Sequence, residues 1–245
     1  MNFLHSGGAG DIIWSLPFVK SVLGEDKAVF YIKRKMAMNN AAVDIYESIK
    51  DLLLTQDFVE QVIPVDDKYG IGQCDPEIKI DYNLDHFRAA PNIAHFLLPK
   101  TYFFALQKPL PDNWKDFKLK ATPYDILRTE PYFLINRTFR YRSPEVNWKE
   151  IVGDNHKKFL FIGMHDEYAD FCRVIGSEEV RKFDTRNFFE VAKLIAGCEA
   201  LYCNLTASNA IAYFLDKPVF LELAPQHSNA YVNDGKQTLL NPIRY

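Results

Sequence analysis

The chain has 245 residues, with 29 Lys and Arg against 32 Asp and Glu and a formal net charge of -3. This length suits one large or two small domains with a sizeable core. The near-neutral charge gives no general attraction to nucleic acid or to anionic membranes, although a local basic patch is compatible with it. The apolar runs are too short to span a membrane and the N-terminus lacks a signal-peptide layout, so a cytoplasmic protein without a transmembrane segment is predicted.

The spacing of the cysteines and the absence of several common catalytic motifs exclude several classes of site. The four cysteines lack CxxC spacing and predict free thiols rather than disulfides or a zinc site; they are Cys74, Cys172, Cys198 and Cys203. Neither a P-loop nor an HExxH motif occurs, and residues 6–11 lack the GxGxxG spacing of a dehydrogenase.

The first twenty residues predict a strand, a glycine loop and a helix in that order. Phe3 and Leu4 form a short apolar run, residues 6–10 are poor in side chains, and apolar residues recur at helical spacing from Asp11 onward. This order presents free backbone N–H groups and a partial positive charge to a ligand. Asp11 fits two interpretations: a helix cap, or a carboxylate that does chemistry at the carboxyl edge of an α/β sheet.

The rest of the first half continues as an α/β series. Strands are predicted at 28–32, 58–65 and 78–84, and helices at 41–54 and 89–106, the second with Pro91 near its start. Strands that alternate with helices predict a parallel sheet with crossover helices. Residues 106–123 hold three prolines and little periodicity, which is typical of a domain linker.

A second α/β series follows this linker. Strands are predicted at 132–135, 159–162, 200–203 and 218–223, with an irregular basic segment at 136–148. Asp184 or Thr185 can cap a helix, and a polar turn at 204–209 leads into another helix that ends at Leu215. The two series predict two Rossmann-like domains, at residues 1–120 and 121–245.

Several segments, in the same order along the chain, resemble glycosyltransferase family 9, the ADP-heptose:lipopolysaccharide heptosyltransferases and their relatives. Gly10-Asp11 with Leu16-Pro17 is similar to the opening of that family, and residues 194–219 resemble its nucleotide-binding signature. Residues 144–152, and Gly163 with Glu167, resemble two further elements of the family. The chain departs from the pattern where Leu205 and Ala207 replace the family's turn aspartate and glycine, and where Tyr141 stands near the position of a basic residue.

The resemblance implies a GT-B-like α/β fold, with two facing Rossmann-like domains, parallel sheets and a cleft between them. It also implies inverting transfer of a sugar from a nucleotide-diphosphate donor to an acceptor hydroxyl on a glycan or a lipopolysaccharide-like molecule, with neither a metal nor another cofactor. Asp11 matches the family's catalytic base, which would remove the proton of the attacking hydroxyl. The loop near the acceptor would contain Gly7, Gly8 and Gly10.

The candidate donor-binding residues all lie in the second domain; they are Arg137, Arg140, Arg142, Glu167, Thr206, Ala207, Ser208 and Asn209. A guanidinium can hold phosphate oxygens bidentately, although a solvated basic loop also explains the arginines. The turn at 206–209 can receive a diphosphate on its backbone N–H groups or serve as a capping turn. Glu167 matches a position of the family that can bind ribose hydroxyls, and a surface glutamate at the start of a helix explains it equally well. Gln226 and His227 follow the last strand and fit either the edge of the site or a solvated loop.

Two other functions compete with glycan transfer. Leu205 at the position of the turn aspartate favours a non-catalytic nucleotide-sugar binder, whereas the intact Gly10-Asp11 opening disfavours it. The basic residues 137–142 leave open a transferase that acts on a nucleic-acid base or on a protein, although the near-neutral charge makes nucleic acid an unfavourable partner.

Overall fold

The computed structural model describes residues 1–38, 41–90, 97–124, 131–224 and 226–241. Its backbone contacts divide the chain into two compact units. Unit 1 contains Met1–Lys120 and Asn187–Phe189, and unit 2 contains Ala121–Arg186 and Glu190–Tyr245. Each unit is built on its own parallel sheet, so the predicted α/β class with two parallel sheets is confirmed.

Unit 1 is a four-stranded parallel sheet covered by helices. Its elements are β1 (Asn2–His5), α1 (Ala9–Leu23), β2 (Ala28–Lys33), β3 (Lys35–Met38), β4 (Ala41–Asp44), α2 (Ile45–Leu54), β5 (Val59–Val65), β6 (Tyr82–Asn83) and α3 (Leu98–Ala105). The sheet order is β5-β2-β1-β6, and β3 and β4 form a separate antiparallel pair. The chain therefore winds outward from β1 in one direction and then places β6 on the other side of β1. Ligands of open α/β sheets bind at such a switch point, beyond the carboxyl ends of the strands.

Several boundaries in unit 1 differ from those predicted. Helix α1 begins at Ala9, so Gly10 lies in its first turn and not in the loop. The helix predicted at 41–54 begins only at Ile45, because the Asp44 side chain accepts the Glu47 N–H and caps it. The strand predicted at 78–84 is reduced to β6, and the helix predicted at 89–106 is observed at Leu98–Ala105. Pro91 lies outside the described residues.

Unit 2 is a six-stranded parallel sheet. Its elements are β7 (Phe133–Asn136), α4 (Trp148–Val152), β8 (Phe159–Phe161), α5 (His165–Ile175), β9 (Arg181–Lys182), α6 (Phe188–Gly197), β10 (Ala200–Cys203), α7 (Ala207–Phe214), β11 (Val219–Leu221) and β12 (Gln237–Leu239). The first two residues of α6 group with unit 1, and the rest of the helix belongs to unit 2. The sheet order is β12-β11-β10-β7-β8-β9. The switch point of this sheet lies between β7 and β10, which pair in register from Phe133 and Ala200 to Asn136 and Cys203.

One hydrophobic cluster of unit 2 packs against a face of this sheet. Buried aromatic and aliphatic side chains from β7, β8, α4 and α5 form the cluster; among them are Ile135, Trp148, Phe159, Phe161 and Phe171. The strand predicted at 218–223 is shorter than expected, and β12 extends the sheet beyond it. Strand β12 carries the polar pair Gln237 and Thr238, which is why an apolar pattern did not reveal it.

The prediction of free thiols is confirmed. All four cysteines are free, and burial raises the pKa of Cys198 to about 12. Within the described ranges, no helix combines the length and the apolar character that a membrane crossing needs.

Candidate active site

The glycine loop of unit 1 holds Asp11 at the switch point between β1 and β6. The Asp11 carboxylate accepts the Gly8 N–H on Oδ2 at 3.1 Å, three residues back along the chain. Asp11 therefore stands in the third position of α1 and closes a capping interaction, while Gly8 is the residue before the helix. Its side chain is 28% exposed, so a molecule in solution can reach it. Capping and catalysis are compatible here, because the carboxylate keeps an oxygen for a second partner.

Two buried residues that the sequence reasoning missed support the backbone under Asp11. The His5 Nδ1 accepts the Gly7 N–H at 2.9 Å, which leaves the ring proton on Nε2, 3.1 Å from the Tyr102 hydroxyl. That hydroxyl donates to the Asp11 carbonyl at 2.8 Å. Desolvation lowers the pKa of His5, so the ring is neutral and donates through one nitrogen only. This chain of bonds ties the end of β1 to the first turn of α1.

A second carboxylate and an arginine also meet at this edge. Because Leu4 pairs with Asn83, the residues after β1 lie beside those after β6. The Asp85 Oδ2 accepts the Ser6 N–H at 2.9 Å, and the Arg88 Nη2 lies 3.5 Å from the Asp11 Oδ2. Asp85 and Arg88 lie within four residues of the end of the predicted strand. The sequence reasoning missed them because the pairing of this segment with β1 is not visible in a local pattern.

Gly7 has no room for a side chain. A Cβ atom at this position would lie 2.5 Å from the His5 Cε1, 2.9 Å from the Asp11 Oδ2 and 3.0 Å from the Arg88 Nη2. Three side chains of the site therefore converge on this glycine, and the absence of a Cβ allows them to do so.

The basic loop of unit 2 follows β7, and its first arginine is not solvated. Arg137 is buried and donates bidentately to Glu222, from Nε at 2.8 Å and from Nη2 at 3.2 Å. Glu222 is fully buried after β11 and also accepts the Trp148 indole N–H at 3.1 Å. A buried pair with several hydrogen bonds orders the loop, and removal of one partner leaves an uncompensated charge. The sequence reasoning missed Glu222, because it is 85 positions from Arg137.

The other two arginines differ in how firmly they are held. Arg142 donates from Nη1 to Asp170 at 2.6 Å and from Nε to the Thr138 carbonyl at 2.9 Å. Arg140 is exposed, and its guanidinium contacts the Tyr141 side chain. Among the described residues, the Arg137 Nη1 and the Arg142 Nη2 are buried donors without a hydrogen-bond partner. Guanidinium N–H groups without a partner can donate hydrogen bonds to the oxygens of a phosphate.

The turn between β10 and α7 lies beside this loop. Asn204 is fully buried; its Oδ1 accepts the Thr138 N–H at 3.1 Å, and its Nδ2 donates to the Thr138 carbonyl at 2.9 Å and to the Arg140 carbonyl. The sequence reasoning did not assign this clamp. Thr206 precedes α7, and in the described part of the chain its buried Oγ1 has no hydrogen-bond partner. The structure thus brings the arginine loop and the start of α7 together at the switch point of the sheet.

Three predicted donor-binding residues belong to α7 itself. Ala207 begins the helix, and Ser208 is buried directly after it. Asn209 is fully buried and uses its side chain inside unit 2, because its Nδ2 donates to the Ala230 carbonyl at 3.0 Å and its Oδ1 accepts from Gln237 at 2.7 Å. A donor would therefore meet the helix through its first backbone N–H groups.

Glu167 and His227 have partners of their own. Glu167 is 4% exposed, so it is not a surface residue, and its Oε2 accepts the Met164 N–H at 2.9 Å at the start of α5. Burial raises the pKa of this carboxyl. The His227 ring packs edge-on against Tyr141 with centroids 4.7 Å apart, and Gln226 is exposed.

Within the described ranges, no group of three or more His, Cys, Asp or Glu side chains is arranged to hold a metal ion. A cavity of about 330 Å³ in unit 1 is lined by residues such as Pro17, Lys20 and Trp114 and contains none of the predicted site residues.

Solved structures show where this architecture occurs. A glycosyl transferase family 9 protein from Veillonella parvula has a TM-score of 0.64 at 10% identity, over 97% of this chain and 84% of that one. Escherichia coli heptosyltransferase WaaC with ADP has a TM-score of 0.60 at 12% identity, over 97% and 92% of the two chains. The iron-containing heptosyltransferase TibC of enterotoxigenic E. coli, in complex with ADP-D-beta-D-heptose, has a TM-score of 0.57 at 13% identity, over 97% and 62%.

Neither a protein-family model nor a curated protein sequence matches the chain. The likeness to solved structures, at these identities, concerns the fold and covers both units. The chain therefore has the fold of the glycosyltransferase family 9 heptosyltransferases, and its predicted resemblance to that family is confirmed at the level of the fold.

Proposed function

We propose that the protein is an inverting, metal-independent glycosyltransferase that moves a sugar from a nucleotide diphosphate to an acceptor hydroxyl on a glycan-type molecule. The observation that carries the proposal is the Asp11 carboxylate, ordered by the Gly8 N–H and accessible at the switch point of the unit 1 sheet. A carboxylate in this place can act as a general base. The fold shared with heptosyltransferases supports the assignment.

In the proposed reaction, Asp11 takes the proton of the acceptor hydroxyl while its oxygen attacks the anomeric carbon of the donor. The bond from that carbon to the diphosphate oxygen breaks, and the nucleoside diphosphate leaves with the bonding electron pair. One displacement of this kind inverts the anomeric centre. The carboxylate contributes by proton transfer, for which the usual gain is about 10²–10⁴-fold.

We assign the donor diphosphate to unit 2. The start of α7 offers backbone N–H groups and the positive end of a helix dipole. The buried donors on Arg137 and Arg142, together with the Thr206 hydroxyl, can complete the phosphate contacts. Positive charge in this position would offset the charge that develops on the leaving diphosphate.

A non-catalytic nucleotide-sugar binder is the second candidate function. Leu205, which stands where the family has an aspartate, favours it, because an apolar side chain there removes one polar contact to the donor. The two candidates agree about binding in unit 2 and differ about the role of Asp11.

The substitution Asp11→Asn tests the base directly. Asparagine still accepts the Gly8 N–H but cannot take a proton, so turnover should fall by about 10²–10⁴-fold while the melting temperature and the affinity for the donor stay close to those of the parent. Thermal shift with a panel of nucleotide sugars first identifies the donor, since a ligand of the native state raises the melting temperature. The transfer assay is run in the presence of EDTA, so that a requirement for a metal would be seen as lost activity.

Asp26→Asn on the exposed surface is the matched control, and it should leave turnover unchanged. An Asp11→Asn variant as active as the parent would remove the base from the mechanism. Donor binding without transfer in the parent would favour the binder.

The substitution Arg142→Ala tests the diphosphate site. The loss of a charged hydrogen bond to phosphate, worth about 1.5–3 kcal/mol, should weaken ADP binding by roughly 10- to 150-fold. Arg173→Ala is the matched control, because Arg173 contacts the same Asp170 but is 77% exposed on α5. Calorimetry with both variants decides the point: equal ADP affinities would show that Arg142 does not contact the diphosphate.

A further inference from the structure

Asp85 carries a buried carboxylate oxygen that needs an explanation. Within the described part of the chain, its Oδ1 has no hydrogen-bond partner, and the side chain is only 6% exposed. The nearest opposite charge is the Arg88 Nε at 3.7 Å. The His5 Nδ1 is at 3.8 Å, but it accepts from Gly7 on a neutral ring. Arg88 is therefore the cation that balances Asp85.

The same guanidinium faces the candidate base. The Arg88 Nη2 is 3.5 Å from the Asp11 Oδ2, so one arginine lies between two carboxylates. The other titratable groups that face this cluster are His5 on β1 and Tyr102 on α3. Burial lowers the pKa of His5 and raises the pKa of Tyr102, so both stay uncharged near neutral pH. The charge beside Asp11 is then set by Arg88 and Asp85 alone among these groups.

We propose that Arg88 is a positioning residue for Asp11 and that Asp85 holds Arg88 in place. Asp85 fixes the arginine through its buried Oδ1, and it fixes the loop that carries Asp11 through the bond from the Ser6 N–H to Oδ2. Arg88, supported in this way and stacked on the Phe87 ring, holds the Asp11 carboxylate in position by charge attraction across 3.5 Å. The catalytic importance of Arg88 rests on the proposed function, whereas its electrostatic link to Asp11 does not.

Carboxyl-carbon NMR of the full chain with labelled aspartate tests this link without an activity assay. The Asp11 signal is assigned from its loss in the Asp11→Asn variant. In Arg88→Met the Asp11 signal should titrate at higher pH than in the parent, because the positive charge 3.5 Å from the Asp11 Oδ2 is then gone. Arg88→Lys keeps the charge and should restore most of the parent titration. Arg34→Met, which breaks an exposed pair with Asp44, is the control and should leave the Asp11 signal unchanged.

Kinetics of the same variants test the positioning role. Arg88→Met should lower kcat by about 10- to 100-fold with little change in the KM for the donor, and Arg88→Lys should recover part of kcat. An unchanged Asp11 titration in a folded Arg88→Met variant would overturn the proposal, and so would an unchanged kcat. A parent protein without transfer activity would instead overturn the proposed function, while the titration would still show whether Arg88 acts on Asp11.

Discussion

At the scale of single residues, the site in unit 1 depends on one position without a side chain. Gly7 lies where His5, Asp11 and Arg88 approach each other most closely. The buried His5 ring cannot yield, because it is held by Gly7 on one side and by Tyr102 on the other. A glycine is therefore required by close approach, and an added methyl group has to displace the groups that the proposed chemistry needs.

The substitution Gly7→Ala should affect both stability and activity. Overpacking of this kind costs about 1–3 kcal/mol of unfolding free energy, and the displaced Asp11 should lower turnover as well. Gly70→Ala is the matched control, because the three atoms nearest to its Cβ would all belong to the Gln73 side chain, which can move. Urea unfolding and transfer assays of the two variants check the prediction. A Gly7→Ala variant with the stability and turnover of the parent would show that the crowding can be relieved at no cost.

At the scale of elements, the start of α5 holds a buried carboxyl group, Glu167, whose ionisation is disfavoured by burial. Glu167 caps the helix through the Met164 N–H, yet desolvation raises the pKa of its carboxyl. When the folded pKa of an acid lies above the unfolded pKa, the folded state binds the proton more tightly. The contribution of this carboxyl to the free energy of unfolding is then present at low pH and is lost as the pH rises through the folded pKa.

The substitution Glu167→Gln should abolish the decrease in stability that the parent shows as the pH rises. Glutamine still accepts the Met164 N–H, and it has no charge to desolvate. The melting temperature of the variant relative to the parent should therefore be higher at pH 7 than at pH 4, where the parent carboxyl is protonated. Glu179→Gln on the exposed surface controls for the general effect of removing a negative charge. If the melting temperatures of the variant and the parent differ by the same amount at both pH values, the raised pKa of Glu167 is contradicted.

The arginine loop shows how one element is held by another. The Asn204 amide contacts the backbone of Thr138 and Arg140, so the turn after β10 sets the conformation of the loop after β7. The Arg137–Glu222 pair adds an anchor from the end of β11. Residues that follow three neighbouring strands, β7, β10 and β11, thus order the arginine loop together.

At the scale of the whole molecule, the sequence predicted what local patterns encode. The apolar strands β1, β2, β5, β7 and β10 were found because burial imposes a short, regular pattern on them. Strand β6 has only two residues and β12 is polar, so neither produces such a pattern. The positions of Asp11 and of the arginines could be read from the residues, and their roles stay predictions.

The partners of these residues could not be read from the sequence. Arg88 is 77 positions from Asp11, and Glu222 is 85 positions from Arg137, so both contacts depend on the pairing order of the strands. The strands can be recognised in a single sequence, but the order in which they pair within the sheet cannot. The buried carboxylate of Asp85 and the clamp of Asn204 therefore became visible only in the folded chain.

The assignment of Asn187–Phe189 to unit 1 has a consequence for biosynthesis. The chain leaves unit 1 after Lys120 and returns to it with these three residues. A ribosome that adds about 5–20 residues per second makes them about 3–13 s after Lys120. Unit 1 therefore gains the contacts of these three residues only after residues 121–186, about half of unit 2, have been translated.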